Sequence, residues 1–482
     1  MRDQGTDLLR FLLLRGVGLI YTVAFLIVVR QGPLLLGREG LTPIHGFLGR
    51  VEDHLGPDAL SRLPTLFWLD DSDAALFLVG WTGLALAVLT LAGVTNAAVL
   101  AVLWLLHLSV VNAGQDWYGY GWETLLCEVG FLAIWLAPLT SFSPRGLASP
   151  HPLHAWLWRW LAFRIMLGAG LIKLRGDDCW RDLTCLAWHY ETQPNPHPLS
   201  ILFHRAPMWF HQGGALFNHL VELAVPPLLF LPRPARAAAG ALLLVFQIIL
   251  IASGNLAFLN WLTLLVCLSA FDDGHLSRLF PRLGTWLESR PRRRDHWAWL
   301  LVLLVTWRSV PVVQNLFFRE RQVMNRSFDP LHLVNTYGAF GSVGQERFEA
   351  VIQGTRDGAT WLDYELPCKP GNVARRPCLV TPYHLHLDWQ MWFVPLQGVS
   401  EHVWLVHLLE KLLRAEPLAL SAFALTPFGT EPPAAMRVAR YQYHLAPPGS
   451  SDWWVREEAG TFVRAITLDD PVLREVMEQE GW

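Results

Sequence analysis

Charge is scarce in this sequence. Of its 482 residues only 16% are Asp, Glu, Lys or Arg, against about 25% in ordinary soluble chains. Lysine is rarest: Lys173, Lys369 and Lys411 are the only three. Arg fills the other basic positions, a coding bias that points to a GC-rich, bacterial genome. The net charge is −3 and no basic stripe follows the aromatic residues, so there is no footing for a nucleic-acid partner. The motifs of common enzyme chemistry are missing as well: no GxSxG, no Walker loop and no HExxH. CxxC spacing is absent, which removes the usual zinc sites, and neither a metal nor a cofactor is expected. No internal repeat or matched pair of broken helices marks a transporter. No small-residue cleavage site follows the first apolar run, 8–29, so this run is expected to stay as a transmembrane helix.

Hydrophobic residues make up 52% of the chain, and 24 residues are Trp. Most Trp lie in or beside apolar runs, as suits the membrane–water interface. A helical span needs about 20 apolar residues, because it rises 1.5 Å per residue through about 30 Å of hydrocarbon. Nine segments qualify: 8–29, 74–92, 96–113, 122–141, 153–173, 209–231, 235–253, 255–271 and 296–317. The eighth is short and the second and third nearly run together, so eight or ten stay open. The most basic short loop, 272–295, carries Arg278, Arg282, Arg290, Arg292, Arg293 and Arg294. The positive-inside rule puts it in the cytoplasm. The Arg233/Arg236 turn, the Arg145 loop and the N-terminus with Arg2 then fall on the same side. Loops 30–73, 114–121 and 174–208 fall outside, with everything after residue 317.

The pattern changes near residue 330. Residues 347–353 alternate as a strand does, Asp357-Gly358 signals a tight hairpin turn, and 361–366 reads as the returning strand. Residues 437–445 alternate again. Residues 401–414 read as an amphipathic helix with Val403, Val406, Leu409 and Leu413 on one side. A last helix is expected over 470–482, with Pro471 in its first turn. The fold class is therefore an α-helical multi-pass membrane domain, residues 1–320, followed by a small α+β soluble domain with an antiparallel sheet, residues 321–482.

Ionisable residues inside spans are costly, so each needs a partner or a role. They are Arg15, His107, Glu123, Glu128, Arg159, Arg164, Lys173, His219, Glu222 and Arg308. Pairing between helices is the plain reading. Arg164 with Glu128 or Glu123 is the first pair to test: reversing one charge should abolish accumulation, and reversing both should restore it. The sharper reading is a water-filled cavity open to the outer face. His219 and Glu222 share a helix face, but two ligands make no metal site. His384 and His386 alternate in an extended stretch and carry the same ambiguity. The loop 176–198 is acidic and aromatic, with Asp177, Asp178, Trp180, Arg181, Asp182, Trp188, His189, Tyr190 and Glu191. It suits interfacial packing or docking, and no nucleophile–base pair stands out in it. Cys127 and Cys267 lie in spans as packing residues. An oxidising outer compartment would allow disulfides at Cys368/Cys378 and Cys179/Cys185.

Long strings carry a resemblance. YGYGWETLLCEVGFLAIWLAP (118–138), FRIMLGAGLIKLRGDDCWRDLTCLAWHYETQPNPHP (163–198), FNHLVELAVP (217–226), GNLAFLNWLTLL (254–265) and CKPGNVARRPCLVTPYHLHLDWQMWF (368–393) are similar to the lipase maturation factor family. They cover most of residues 115–395 in order. The membrane half also distantly resembles the membrane domain of vitamin K-dependent carboxylases. The first resemblance implies a protein of the endoplasmic reticulum membrane whose lumenal domain helps secreted lipases fold and assemble. In a bacterial owner the membrane would be the plasma or inner membrane. The implied partners are membrane lipids and secreted client proteins. The alternative is a membrane-embedded enzyme acting on a lipid or quinone-like substrate. It requires Glu128, Arg164, Lys173 and His219 to converge on one pocket, with Lys173 a desolvated base.

Overall fold

Lipid offers backbone N–H and C=O groups no partner, so apolar runs of this length close their hydrogen bonds within helices. The computed structural model describes residues 5–287, 296–398 and 401–480. Its bundle contains α1 (Asp7–Leu36), α2 (Asp73–Ala92), α3 (Ala97–Ala113), α4 (Gly121–Leu136), α5 (Pro152–Arg175), α6 (Met208–Phe230), α7 (Arg233–Ser253), α8 (Leu259–Ala270) and α9 (Trp297–Phe317). Six of these, α1, α2, α5, α6, α7 and α9, are long and apolar enough to cross a membrane.

Three expected spans are shorter helices. α4 ends at Leu136 because Pro138 holds the residue before it extended. α8 begins at Leu259 because Gly254 and Asn255 leave the helical path, Gly254 bridging to Pro196. Both α4 and α8 are largely buried within the bundle, so their length answers to neighbouring helices rather than to the bilayer. Local signals set other ends. Ser72 caps α2 by accepting from Ala75 N–H, and Asn96 caps α3 by accepting from Val99 N–H. Gly93, at φ +110°, ends α2 in the left-handed conformation. α1 and α2 pack closely because Gly18 lets the Leu91 backbone approach; a Cβ there would lie 2.6 Å from Leu91 N.

The bundle has two distinct ends. At one, the Asp273 carboxylate accepts from Asp7 and Leu8 N–H at 2.8 and 3.0 Å, capping α1. Arg236 pairs with Asp272, and Arg145 donates to Trp286 O. Arg2, Arg290, Arg292, Arg293 and Arg294 lie outside the described residues. At the other end lie the loops 37–72, 114–120 and 176–207, with the C-terminal region packed on them.

That region holds two antiparallel sheets. β1 (Arg326–Ser327) pairs with β2 (Asn335–Thr336). The second sheet has the order β4-β3-β5-β6, from β3 (Arg347–Thr355), β4 (Leu362–Asp363), β5 (Ala435–Leu445) and β6 (Trp454–Ile466). The region's longer helices are α10 (Val403–Leu413) and α11 (Pro471–Glu480), with short helical turns at His386–Gln390, Val394–Gln397 and Pro417–Leu420. Two details depart from expectation. Asp357-Gly358 sits in a longer loop, because the Asp357 carboxylate gathers Ala359 N–H, Thr360 N–H and two hydroxyls; only Gly358 has positive φ. The buried face of α10 is Trp404, Leu405, Leu408, Leu409, Leu412 and Leu413, while Val403 and Val406 are half-buried. Trp404 turns the helix by packing on Trp117, ring centroids 5.2 Å apart.

Candidate functional site

α4 and α5 carry the central pair. Arg164 and Glu128 are each about 1% exposed and form an ion pair. Glu123, the other expected partner, faces His107 instead, at 3.6 Å. The pair does not stand alone. Glu128 Oε2 accepts from Asn335 N–H at 3.0 Å and from Tyr337 O–H at 2.7 Å, and Arg164 donates to Asn335 O at 2.8 Å. A segment far along the chain thus completes a polar knot inside the helical bundle. Neighbouring residues are held in the same way. Asn315 and Val323 exchange two hydrogen bonds, His332 meets Asn112 at 2.9 Å, and Trp180 Nε1–H donates to Phe340 O at 2.7 Å.

Lys173, in the last turn of α5, makes a second, separate set. Its ammonium donates to Glu222 Oε1 and Oε2 at 2.6 and 2.7 Å and to Asn218 at 3.1 Å. His219 turns away and its Nε2 meets Trp180 O at 2.9 Å. Glu128, Arg164, Lys173 and His219 therefore do not converge, and His219 and Glu222 serve different partners. Arg15 donates to Thr90 O, Arg159 to Ser269 O, and Arg308 lies over the Trp307 ring.

The outer loop divides in two. Asp178 and Arg181 form an exposed ion pair, and Asp182 is exposed beside them. Trp180, His189, Tyr190 and Glu191 are buried. His189 packs edge-on to Phe340 and Tyr190 stacks on Phe203. Cys179 and Cys185 are bonded with Cα atoms 4.8 Å apart, and Cys368 and Cys378 with Cα atoms 5.3 Å apart. Cys127 and Cys267 are free and buried.

Arg347 fastens this loop to the sheet. It is about 1% exposed. Its guanidinium donates to Glu191 O at 2.7 Å, Gln193 O at 2.5 Å and Pro194 O at 3.0 Å, and it pairs with Glu349 at 2.5 Å. Lys369 reaches the other oxygen of Glu349 at 2.6 Å. Burial pushes the Lys369 ammonium down to about 8 and the Asp388 carboxyl up to about 6. Glu191 returns the contact, accepting from Leu445 N–H at 2.6 Å. Asn255 adds another tie: it donates to Cys378 O at 2.9 Å and accepts from Val380 and Thr381 N–H. Sequence reasoning missed Arg347, Asn335, Tyr337 and Asn255 as anchors. Only Arg347 gave a signal, a charge heading an otherwise half-apolar strand.

Buried histidines line the same junction. His384 and His386 lie with ring centroids 4.6 Å apart among Tyr118, Trp122 and Trp389. No group of three metal-ligating side chains occurs among the described residues. Burial pushes His386 down to about 3 and His407 to about 4, and holds His384 well below the usual imidazole range. Below about pH 6.5 the unfolded chain binds protons that the folded chain refuses, so stability falls as pH falls. Near pH 5 a histidine shifted as far as His386 costs about 2 kcal/mol. The melting temperature of the purified protein should drop steeply between pH 7.5 and pH 5, and His386→Gln should flatten that fall. A flat profile over this interval in the unaltered chain would contradict these neutral, buried rings.

A helical membrane-type bundle with a sheet-bearing C-terminal region fastened to one end defines a class of helical membrane protein with an appended sheet region. Residues 8–278 match the lipase maturation factor transmembrane domain, and residues 333–464 match the lipase maturation factor C-terminal domain. The chain is 45% identical to lipase maturation factor 1 of Bos taurus, covering 98% of this chain and 91% of that protein. It is 44% identical to lipase maturation factor 1 of Homo sapiens, covering 98% and 90%. Identity to lipase maturation factor 2 of Rattus norvegicus is 32%, covering 98% and 84%. The chain belongs to the lipase maturation factor family and is a membrane protein. No solved structure matches it.

Proposed function

We propose that this chain is a membrane-bound maturation factor that helps secreted lipases fold and assemble, with the outer loops and the C-terminal sheet as its client surface. One observation carries the reading beyond family membership: Arg347 on the sheet and Asn255 under the Cys378 loop fix the C-terminal region to the end of the bundle that carries loops 37–72, 114–120 and 176–207. A client would meet one continuous, immobile face. The enzyme alternative loses support because Glu128–Arg164 and Lys173–Glu222 are separate, closed pairs.

The N-terminus and the basic turns share the opposite end, which supports a cytoplasmic N-terminus and a lumenal or extracytoplasmic C-terminal region. Only an odd number of passes reaches that arrangement. Each of the three shorter helices, α3, α4 and α8, joins segments at opposite ends, so all three count as crossings too, giving nine. By family resemblance the membrane is that of the endoplasmic reticulum, or the plasma membrane in a bacterial owner.

A truncation tests the reading, and its position matters. A cut near 330 removes Asn335 and Tyr337, strips Glu128 of two donors, and should unfold the bundle. A cut after Val343 keeps the knot. Co-expressed with a secreted lipase in cells lacking a maturation factor of their own, the chain ending at 343 should accumulate in membranes yet leave secreted lipase activity at background. Full secretion of active lipase by that truncated chain would remove the C-terminal sheet from the mechanism.

A further inference from the structure

Beside Lys173 lies a cavity of about 380 Å³, within the range of roughly 300–1,000 Å³ typical of small-molecule sites. Its walls include Trp180, Tyr190, Phe203, Phe217, Phe246 and Leu256. Four residues both line it and reach the surface, and so mark its mouth: Trp209, Phe210, Gly213 and Ile249. They stand on α6 and α7, whose neighbouring surface residues Leu216, Val245 and Ile248 are apolar and half or more exposed. The mouth therefore opens sideways, to lipid. Its depth is the outer interface, because Lys173 lies in the last turn of α5 and Trp209 in the first turn of α6.

The polar groups inside are few and specific. Lys173 is matched by Glu222, so the pair presents no spare charge. His189, also lining the cavity, is held neutral, at about 4, by burial and by the nearby Lys173 charge. Asn260 is 5% exposed, lines the cavity, and its Nδ2–H has no acceptor among the described residues. Buried amide donors rarely go unmatched. Glu222 sits where α6 widens into a single π turn, Leu220–Ala224, a distortion frequent at functional sites.

We propose that this cavity binds an acyl chain of a membrane glycerolipid, entering from the bilayer between α6 and α7, with its ester carbonyl accepting from Asn260 Nδ2–H. An ester suits the site better than a free fatty acid, whose carboxylate would find no unpaired cation among the lining residues.

The test uses the full chain in vesicles of phosphatidylcholine carrying a photoreactive diazirine in one acyl chain. Labelling should concentrate in peptides covering 208–222 and 246–260. A Cβ at Gly213 meets nothing within 4 Å, so the side chain of Gly213→Trp starts in open space at the mouth, and helix propensity favours losing this glycine. It should cut labelling of those peptides about tenfold. Asn260→Leu removes the donor at similar volume and should cut it about fivefold; if one variant fails to accumulate, the other decides. A diazirine fatty acid is the second probe, expected to label the cavity peptides no more than other lipid-facing helices. Even labelling of all helices by the phospholipid would overturn the site. So would undiminished labelling in the accumulating variants, and stronger labelling by the fatty acid would overturn the ester.

Discussion

Arg164→Glu should leave almost no folded protein in the membrane. The substitution sets two carboxylates against each other at about 1% exposure. Breaking a buried pair costs about 3–5 kcal/mol, a large share of the roughly 5–15 kcal/mol that holds a typical domain. The structure also changes the expected outcome of the double reversal. If the pair stood alone, Glu128→Arg with Arg164→Glu would restore it. Here Asn335 N–H and Tyr337 O–H both point at the carboxylate of residue 128, and Asn335 O accepts from residue 164. After the swap the donors face a guanidinium and the carbonyl faces a carboxylate. The double reversal should therefore stay depleted. Immunoblots of membrane fractions check this, with Arg181→Glu, at an exposed pair, as the control that should stay at normal levels. Recovery in the double reversal would show that residues 335–337 do not govern the pair.

The sequence disclosed the helices for a simple reason: length and apolarity are local properties, and lipid leaves the backbone one solution. It could not say which helices would be cut short. That depended on Pro138 for α4 and on Asn255 leaving the helix to hold the Cys378 loop before α8. Nor could it choose between Glu123 and Glu128 for Arg164. The two are five apart on α4 and so point in different directions, and the choice is made by α5, Asn335 and Tyr337. Strand β3 was legible from its alternation. β6 was not, because its central residues from Glu457 to Thr461 are exposed and include no large hydrophobic side chain, and its pairing with β5 is interrupted by register shifts. The knot at Asn335 and the cavity donor Asn260 had no local signature at all. Both are ordinary Asn residues whose importance comes from what distant segments leave unsatisfied.

The same logic gives the second large effect. Arg347→Met keeps the length of the side chain and removes its donors. Three carbonyls, of Glu191, Gln193 and Pro194, lose their partner, and Glu349 keeps only Lys369. Orphaned buried acceptors and a half-paired buried carboxylate together cost several kcal/mol, about 3–5 by the measure of broken buried pairs. The loss falls at one seam. The bundle keeps its own apolar core and its Glu128 knot, whereas the sheet loses its main hold on the outer loop. The expected result is a chain that still accumulates in membranes but is cleaved rapidly after residue 343 in limited proteolysis of sealed vesicles with the outer face exposed. Secreted lipase activity should fall with it. Arg347→Lys should rescue little, because an ammonium lacks the planar fork that reaches three carbonyls and a carboxylate at once. Proteolysis of Arg347→Met at the rate of the unaltered chain would mean that Asn255, Glu191 and the apolar contacts hold the sheet without it.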